Sequence, residues 1–431
     1  MPAEMLADML VEVSSIARGS SGPQSEHSLT INVHVPTAGT KAGDKLPVIA
    51  AGVFVCGQWI FGGGFVVGSS ELFPGDPIVA HSVAMGQPVT YAAMNYRLGP
   101  LGFLLVRGKE VKEAGVGNLG LQDPGAISSA LHMVTNHRNT EGLFRAAIMS
   151  AGSPLPTGDI EELQCGGTSD TLVCLRQVSG PADNLTAAAA ALPNLFSYSG
   201  LRDTLGSSRG RPIPDRALQH LMCRSSTGGA LDEGTIFATG SWNLTTEQEF
   251  HDYVHKYLFS STPEALLEPL FSLYPADPAV GSPFMTGDDN QLAPMYKRMA
   301  AFQGDITGNS PGLGYAHGRD ILPAFMGVAL ADYIIQFVAT LDPNGDGANG
   351  TTSAIYYWPK YDTKQWRVLE THDDGVAIGA DTLCIEPMAA LTAISLAYPM
   401  SLNVAGLVRD RMIYLMSWRG QNCQGRCFSE T

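Results

Sequence analysis

Charge is scarce in this sequence, and positive charge is scarcer. Asp, Glu, Lys and Arg make up 16% of the 431 residues, and 26 Lys+Arg stand against 41 Asp+Glu, a formal net charge of −15. A polyanion finds no counter-charge on such a chain, so nucleic acid is excluded as a partner, and no basic cluster reverses that. Long apolar runs are missing too. No uncharged stretch is both long and apolar enough to span a bilayer, so no transmembrane segment is expected. Met1-Pro-Ala-Glu-Met-Leu-Ala-Asp-Met-Leu-Val-Glu-Val13 mixes acids into its apolar residues and has no early Lys or Arg, which a secretory leader requires. There is no internal repeat and no low-complexity tract. No metal-ligand cluster or phosphate-binding loop stands out either, so no metal and no other cofactor is implied.

What is abundant is turn-forming residues: 48 Gly and 27 Pro suit a loop-rich extracellular globule better than a helical bundle. The length fits one large α/β domain or two to three average ones. Seven cysteines are an odd number, which leaves at least one free or paired outside the chain. Cys165 and Cys174, with eight residues between them, lie in a polar stretch suited to a short disulfide loop in an oxidising compartment; two unpaired thiols are the alternative. Asn-x-Thr sequons at Asn184, Asn243 and Asn349 point to the same compartment. Cysteines and sequons thus speak for secretion while the opening residues cannot deliver it. We read that conflict as a first sign that the chain is incomplete.

The pattern along the chain is that of strands alternating with helices. Leu29–Val35 alternates apolar with polar residues and ends at Pro36, which predicts a strand leaving into a turn. Leu46–Ile49 and Trp59–Phe61 read as two pieces of one buried strand, parted by an insert, Ala50–Gln58. Pro88–Asn95 and Phe144–Met149 predict further strands, with a helical run at Ile127–Met133 between them. Such alternation implies a mostly parallel central sheet flanked by helices. From about Leu163 to Tyr274 the chain reads as helices and loops.

The sharpest local feature is Trp59-Ile-Phe-Gly-Gly-Gly-Phe65, three glycines straight after a buried strand. Without Cβ atoms the backbone can turn sharply and aim N–H groups into a cavity, as acyl-transfer enzymes do to hold an oxyanion; a plain structural turn is the other reading. In order after Ser25-Glu-His-Ser-Leu-Thr-Ile-Asn-Val33 and this loop come Asn95-Tyr-Arg-Leu-Gly99, Gly117-Asn-Leu-Gly-Leu-Gln-Asp123, Gly142-Leu-Phe-Arg-Ala-Ala-Ile-Met149, Asp232-Glu-Gly-Thr-Ile-Phe237, Ala316-His317 and Trp358-Pro359. The series resembles the successive signatures of type-B carboxylesterases and fungal lipases, cholinesterase-like members of the α/β-hydrolase fold. It covers most of residues 25–398, with residues 1–24 unassigned and residues 399–431 unlike the family. The resemblance makes Gly63 and Gly64 the oxyanion donors, Glu233 the triad acid and His317 the triad base, and matches Cys165–Cys174 to a family disulfide. It implies a secreted hydrolase acting on a small-molecule or lipid ester through a serine acyl-enzyme.

The nucleophile is absent. The family sets its serine in a Gly-x-Ser-x-Gly elbow between strand and helix, and no such pentapeptide lies between Asp123 and the helix that begins near Gly125. Gly206-Ser-Ser-Arg-Gly210 matches formally, but no apolar strand precedes it and Arg211-Pro-Ile-Pro-Asp215 follows it. Ser150 keeps only the Ser-Ala-Gly half of an elbow, and Ser128 and Ser129 lie inside the expected helix. The family's first strands are absent as well, and Ser28 stands where a cysteine is usual. The expectation is therefore an incomplete α/β-hydrolase domain, lacking the elbow strand and the N-terminal strands. It is a hydrolase by descent and inactive as it stands, with a non-catalytic binding protein or a truncated gene product as the alternatives. A parallel strand missing from the middle of a sheet would expose its neighbours, so poor folding or aggregation is expected.

Overall fold

The computed structural model describes residues 29–41, 43–49, 59–61, 68–98, 146–150, 225–228, 231–241, 243–308, 329–345, 356–362, 364–372 and 375–398. Strand β1 (Ile31–His34) runs antiparallel to β4 (Thr90–Met94), and β2 (Val48–Ile49) and β3 (Trp59–Ile60) both run parallel to β4 on its other side. The register explains the split strand. Val48 and Ile49 pair with Thr90 and Tyr91, and Trp59 and Ile60 pair with Ala93 and Met94, so one residue opposite Ala92 would join the two pieces. Nine residues, Ala50–Gln58, stand in that place. The hydrophobic pattern survives on both flanks because each piece still docks on its own stretch of β4.

Helix α1 (Asp76–Ala84) covers one face of this sheet, with Pro77 pre-set for its first turn. Ile78, Val79, Val89, Tyr91, Ala93, Tyr96 and Phe61 bury there together with Ile334, Ile335 and Val338 of helix α6 (Ala329–Thr340). His81 on α1 pairs with Asp332 on α6, and Gln87 donates to Gln336 at 2.8 Å, so two helices far apart in sequence are tied by polar contacts at the rim of an apolar core. The opposite face is different. Ile31, Val33 and Val48 lie on it by register, and with Leu29 and Val35 they stay between 40% and 58% exposed. A three-layer α/β sheet normally covers both faces.

Strand β5 (Ala147–Ser150) pairs parallel with β6 (Ser225–Gly228), Ser150 opposite Gly228. Ser150 thus closes a strand rather than an elbow. Strand β6 corrects the expectation that the region after Leu163 holds only helices and loops: Ser-Ser-Thr-Gly carries no apolar alternation, and its pairing with β5 supplies what propensity does not. A second helical layer follows, made of α2 (Gly234–Ala238), α3 (Glu247–Tyr253, continuing as a wider π turn over Val254–Leu258), α4 (Glu264–Leu273), α5 (Tyr296–Gly308) and α7 (Ile385–Ala397). Thr246 and Glu249 close a reciprocal capping box that fixes where α3 starts. Phe250, Phe271, Phe302, Tyr253, Tyr274 and Met299 form the centre of this layer's core. The hairpin β7 (Arg367–His372) and β8 (Gly375–Ala380) precedes α7, with Gly375 at φ +148° opening β8 opposite His372.

Candidate functional site

Glu233 is the expected catalytic residue that the described structure contains. It is 2% exposed and sits at the head of α2. Three anchors hold that position. Asp232, next to it, accepts the Ser282 hydroxyl at 2.7 Å and the Phe284 N–H at 2.9 Å through the same oxygen, which ties the start of α2 to a loop fifty residues on. Burial is the largest influence on the Asp232 carboxyl and raises its pKa, against the two hydrogen bonds and the positive charge of Lys297. The Lys297 ammonium is in turn bonded to Thr286 Oγ1 and the Gly287 carbonyl, both at 2.7 Å, and more loosely to the Asp289 carbonyl. Its pKa is lowered by burial, with Asp232, Asp288 and Asp289 acting the other way.

The second anchor is steric. Helix α2 lies so close to α5 that a Cβ on Gly234 would stand 1.9 Å from the Ala300 carbonyl oxygen and 2.4 Å from the Gly304 nitrogen. Glycine is required here by backbone approach. The third is polar: Thr235 Oγ1 donates to the Asp232 carbonyl at 2.8 Å, and the buried Tyr296 hydroxyl donates to the Thr235 carbonyl at 3.0 Å. The backbone at position 233 is thus held from three sides. Sequence reasoning reaches Glu233 but not its supports, because Asp232–Ser282 and Tyr296–Thr235 join segments fifty or more residues apart.

Gly63, Gly64, His317, Cys165, Cys174, Asn184 and Asn349 lie outside the described residues, as do Ser128, Ser129 and Ser208. Asn243 is described; it is exposed in the turn that leads to α3, with the sequon's Thr245 donating to Glu249 at 3.1 Å. Cys384 is a free thiol, the residue capping α7. Among the described residues no group of three or more His, Cys, Asp or Glu could hold a metal ion, and no helix is long and apolar enough to cross a membrane.

Comparison with known proteins places these features. The family model "Carboxylesterase family" matches residues 6–137. Lipase 4 of Diutina rugosa is 31% identical over 421 aligned positions, covering 79% of this chain and 73% of that lipase. Secreted lipase 1 of Botryotinia fuckeliana is 30% identical over 483 positions, covering 84% of this chain and 80% of the relative. The crystal structure of Aspergillus niger EstA superposes with a TM-score of 0.61 at 19% identity, over 88% of this chain and 86% of that one, a likeness of fold. The spans themselves are informative: 79% of 431 residues is about 340, so roughly 80 of the 421 positions aligned with the first lipase are filled by the relative alone. With its signatures in family order and such relatives along most of its length, the chain belongs to the carboxylesterase/lipase family and has the α/β-hydrolase fold.

Proposed function

We propose that this chain is an ester-hydrolase scaffold without its nucleophile: Glu233 and His317 are the acid and base of a serine triad, Gly63 and Gly64 its oxyanion donors, and no ester is turned over because no serine stands between strand and helix where the acyl-enzyme must form. The observation that carries this reading is the conjunction of family-ordered signatures with an absent Gly-x-Ser-x-Gly at its family position. The roughly 80 positions at which the first lipase has no counterpart here support it, since they leave room for an entire strand, elbow and helix to be lost. The substrate class of the scaffold is a carboxylic ester, lipid esters included, in keeping with relatives named as lipases. Secretion is part of the proposal, supported by a relative named as a secreted lipase and by exposed Asn243 as a glycan acceptor; Asn184, Asn349 and a Cys165–Cys174 disulfide complete it. The domain is taken to end at residue 398, with 399–431 outside it, and to start at residue 25, inside a family-model match that begins at residue 6.

A second reading, a truncated gene product with no activity of its own, is favoured by the open apolar face at Leu29, Ile31, Val33, Val35 and Val48. Monomeric proteins rarely leave such a face bare. The experiment for the main reading is hydrolysis of a short-chain and a long-chain p-nitrophenyl ester by the purified chain and by His317→Ala. Both proteins should release nitrophenol at the buffer rate. Turnover by the parent that disappears in His317→Ala would mean that a working nucleophile is present, and the proposal would be wrong.

A further inference from the structure

Helices α4, α5 and α7 meet on three polar side chains that the hydrolase chemistry does not use. Tyr274, the residue that ends α4, donates its hydroxyl to Asp305 Oδ2 on α5 at 2.7 Å. Cys384, the residue that starts α7 from a left-handed backbone at φ +57°, faces the same carboxyl. The surroundings are apolar: the Tyr274 ring stands edge-on to Phe302 at 5.2 Å, and Leu391, Ala390 and Ile394 of α7 pack into the core that holds both. Helix α7 therefore docks through an apolar stripe with a carboxyl at its head.

We propose that Asp305, Tyr274 and Cys384 form a pH-operated latch that docks α7 on α4 and α5 and releases it as the carboxyl ionises.

The charges around the cluster give the sense of the switch. From α4 the facing titratable group is Tyr274, and from the α7 cap it is Cys384; Glu386 follows in the first turn of α7. Helix α2 brings Glu233, whose Cβ lies near Gly304, while Asp232 is engaged with Ser282. On α5 itself the Lys297 ammonium is held by the 286–289 loop and the Arg298 guanidinium by Glu247. From the turn after α2, Ser241 bonds Gln303 and carries no charge. No cation among the described residues acts on Asp305, so its anion has hydroxyl and thiol donors but no counter-charge. Burial is the largest influence and pushes the Asp305 carboxyl up to about 7, against the hydrogen bonds from Tyr274 and Cys384. The Cys384 thiol is pushed up by burial and by Asp305 itself, so it stays protonated and available as a donor.

A carboxyl that binds its proton more tightly when docked favours docking fully at pH values below its free pKa of 3.8. That contribution declines from there to about 7 and is gone above it. Between pH 5.5 and 8 the linkage amounts to a change of roughly 30-fold in the opening equilibrium of α7.

Hydrogen exchange followed by mass spectrometry on the full chain at pH 5.5 and 8.0, corrected for the intrinsic pH dependence of exchange, reads this directly. The peptide spanning Ile385–Ala397 should lose protection by about 30-fold at the higher pH, while Glu247–Tyr253 of α3 serves as reference. In Asp305→Asn, which cannot ionise, α7 should be equally protected at both pH values. Tyr274→Phe removes a donor to the anion and should move the release to higher pH, a displacement that a merely packed tyrosine would not cause. Protection of α7 that is the same at both pH values in the parent, whether high or low, overturns the latch. So does an undiminished pH dependence in Asp305→Asn, or a midpoint unmoved in Tyr274→Phe.

Discussion

The closest backbone approach in the site can be tested with one methyl group. Gly234→Ala places a Cβ 1.9 Å from Ala300 O, 2.4 Å from Gly304 N and 2.9 Å from Ala300 C, all backbone atoms of α5. No rotamer relieves such overlap, so α2 must back away from α5. Overpacking of this kind typically costs about 1–3 kcal/mol, and a clash with backbone on the facing helix belongs at the upper end, near 3. The gain in helix propensity of Ala over Gly, at most about 1 kcal/mol, offsets a minor part. Gly304→Ala is the built-in control: its Cβ would lie 3.1 Å from Gly234 N and 3.8 Å from the Glu233 Cβ, tight but accommodable, and the same propensity gain roughly cancels it. At about 1 °C per kcal/mol for a chain of this size, thermal unfolding by circular dichroism should show Gly234→Ala lowered by roughly 2 °C and Gly304→Ala within about 0.5 °C of the parent. Equal midpoints for the two variants, or a Gly234→Ala protein as stable as the parent, would refute the argument that backbone contact sets the position of Glu233.

Two further outcomes follow from buried charge. Arg298, 5% exposed, pairs with Glu247, donates to the Phe271 carbonyl at 3.1 Å and lies 4.0 Å over the Phe250 ring, so Arg298→Lys should cost about 2–3 kcal/mol in denaturant unfolding because an ammonium cannot make the planar fork and the stack together. Asp381, 3% exposed, accepts the Tyr361 hydroxyl at 2.8 Å on one oxygen and has no hydrogen-bond partner on the other; burial pushes it up to about 6. Its folded pKa is raised, so its contribution to stability is full below its free value of 3.8 and falls away as pH rises to about 6. Asp381→Asn should therefore flatten stability against pH in that window and unfold later than the parent at pH 8, by at most about 3 kcal/mol. A steeper profile in the variant would reverse the sign assigned here.

Particular segments show why some of this was legible in the sequence. Pro88–Asn95 announces β4 because a buried strand writes itself into the residue pattern, Leu29–Val35 announces β1 by its alternation although Ile31 and Val33 lie on the exposed side, and the strand cut by Ala50–Gln58 is recognisable because each half keeps enough apolar residues to pair with β4. Ser225–Gly228 has no such pattern and is a strand through its partner β5. The β7–β8 hairpin carried a usable signal, the turn-forming Asp373-Asp374 followed by Gly375 between two β-prone runs, which sequence reading passed over. The family signature around Glu233 singles it out as an expectation. Its fixing by Asp232, Ser282, Lys297 and Gly304 is a matter of long-range contact, as is the meeting of Tyr274, Asp305 and Cys384, and neither leaves a trace in local spacing.

The central claim is that this carboxylesterase-family chain lacks an activated serine. It is tested most directly by incubating the purified, folded chain with a fluorophosphonate probe and recording intact mass. The account predicts no stoichiometric mass gain. A gain of one probe per chain, mapped to a single serine peptide and abolished by His317→Ala, would contradict it.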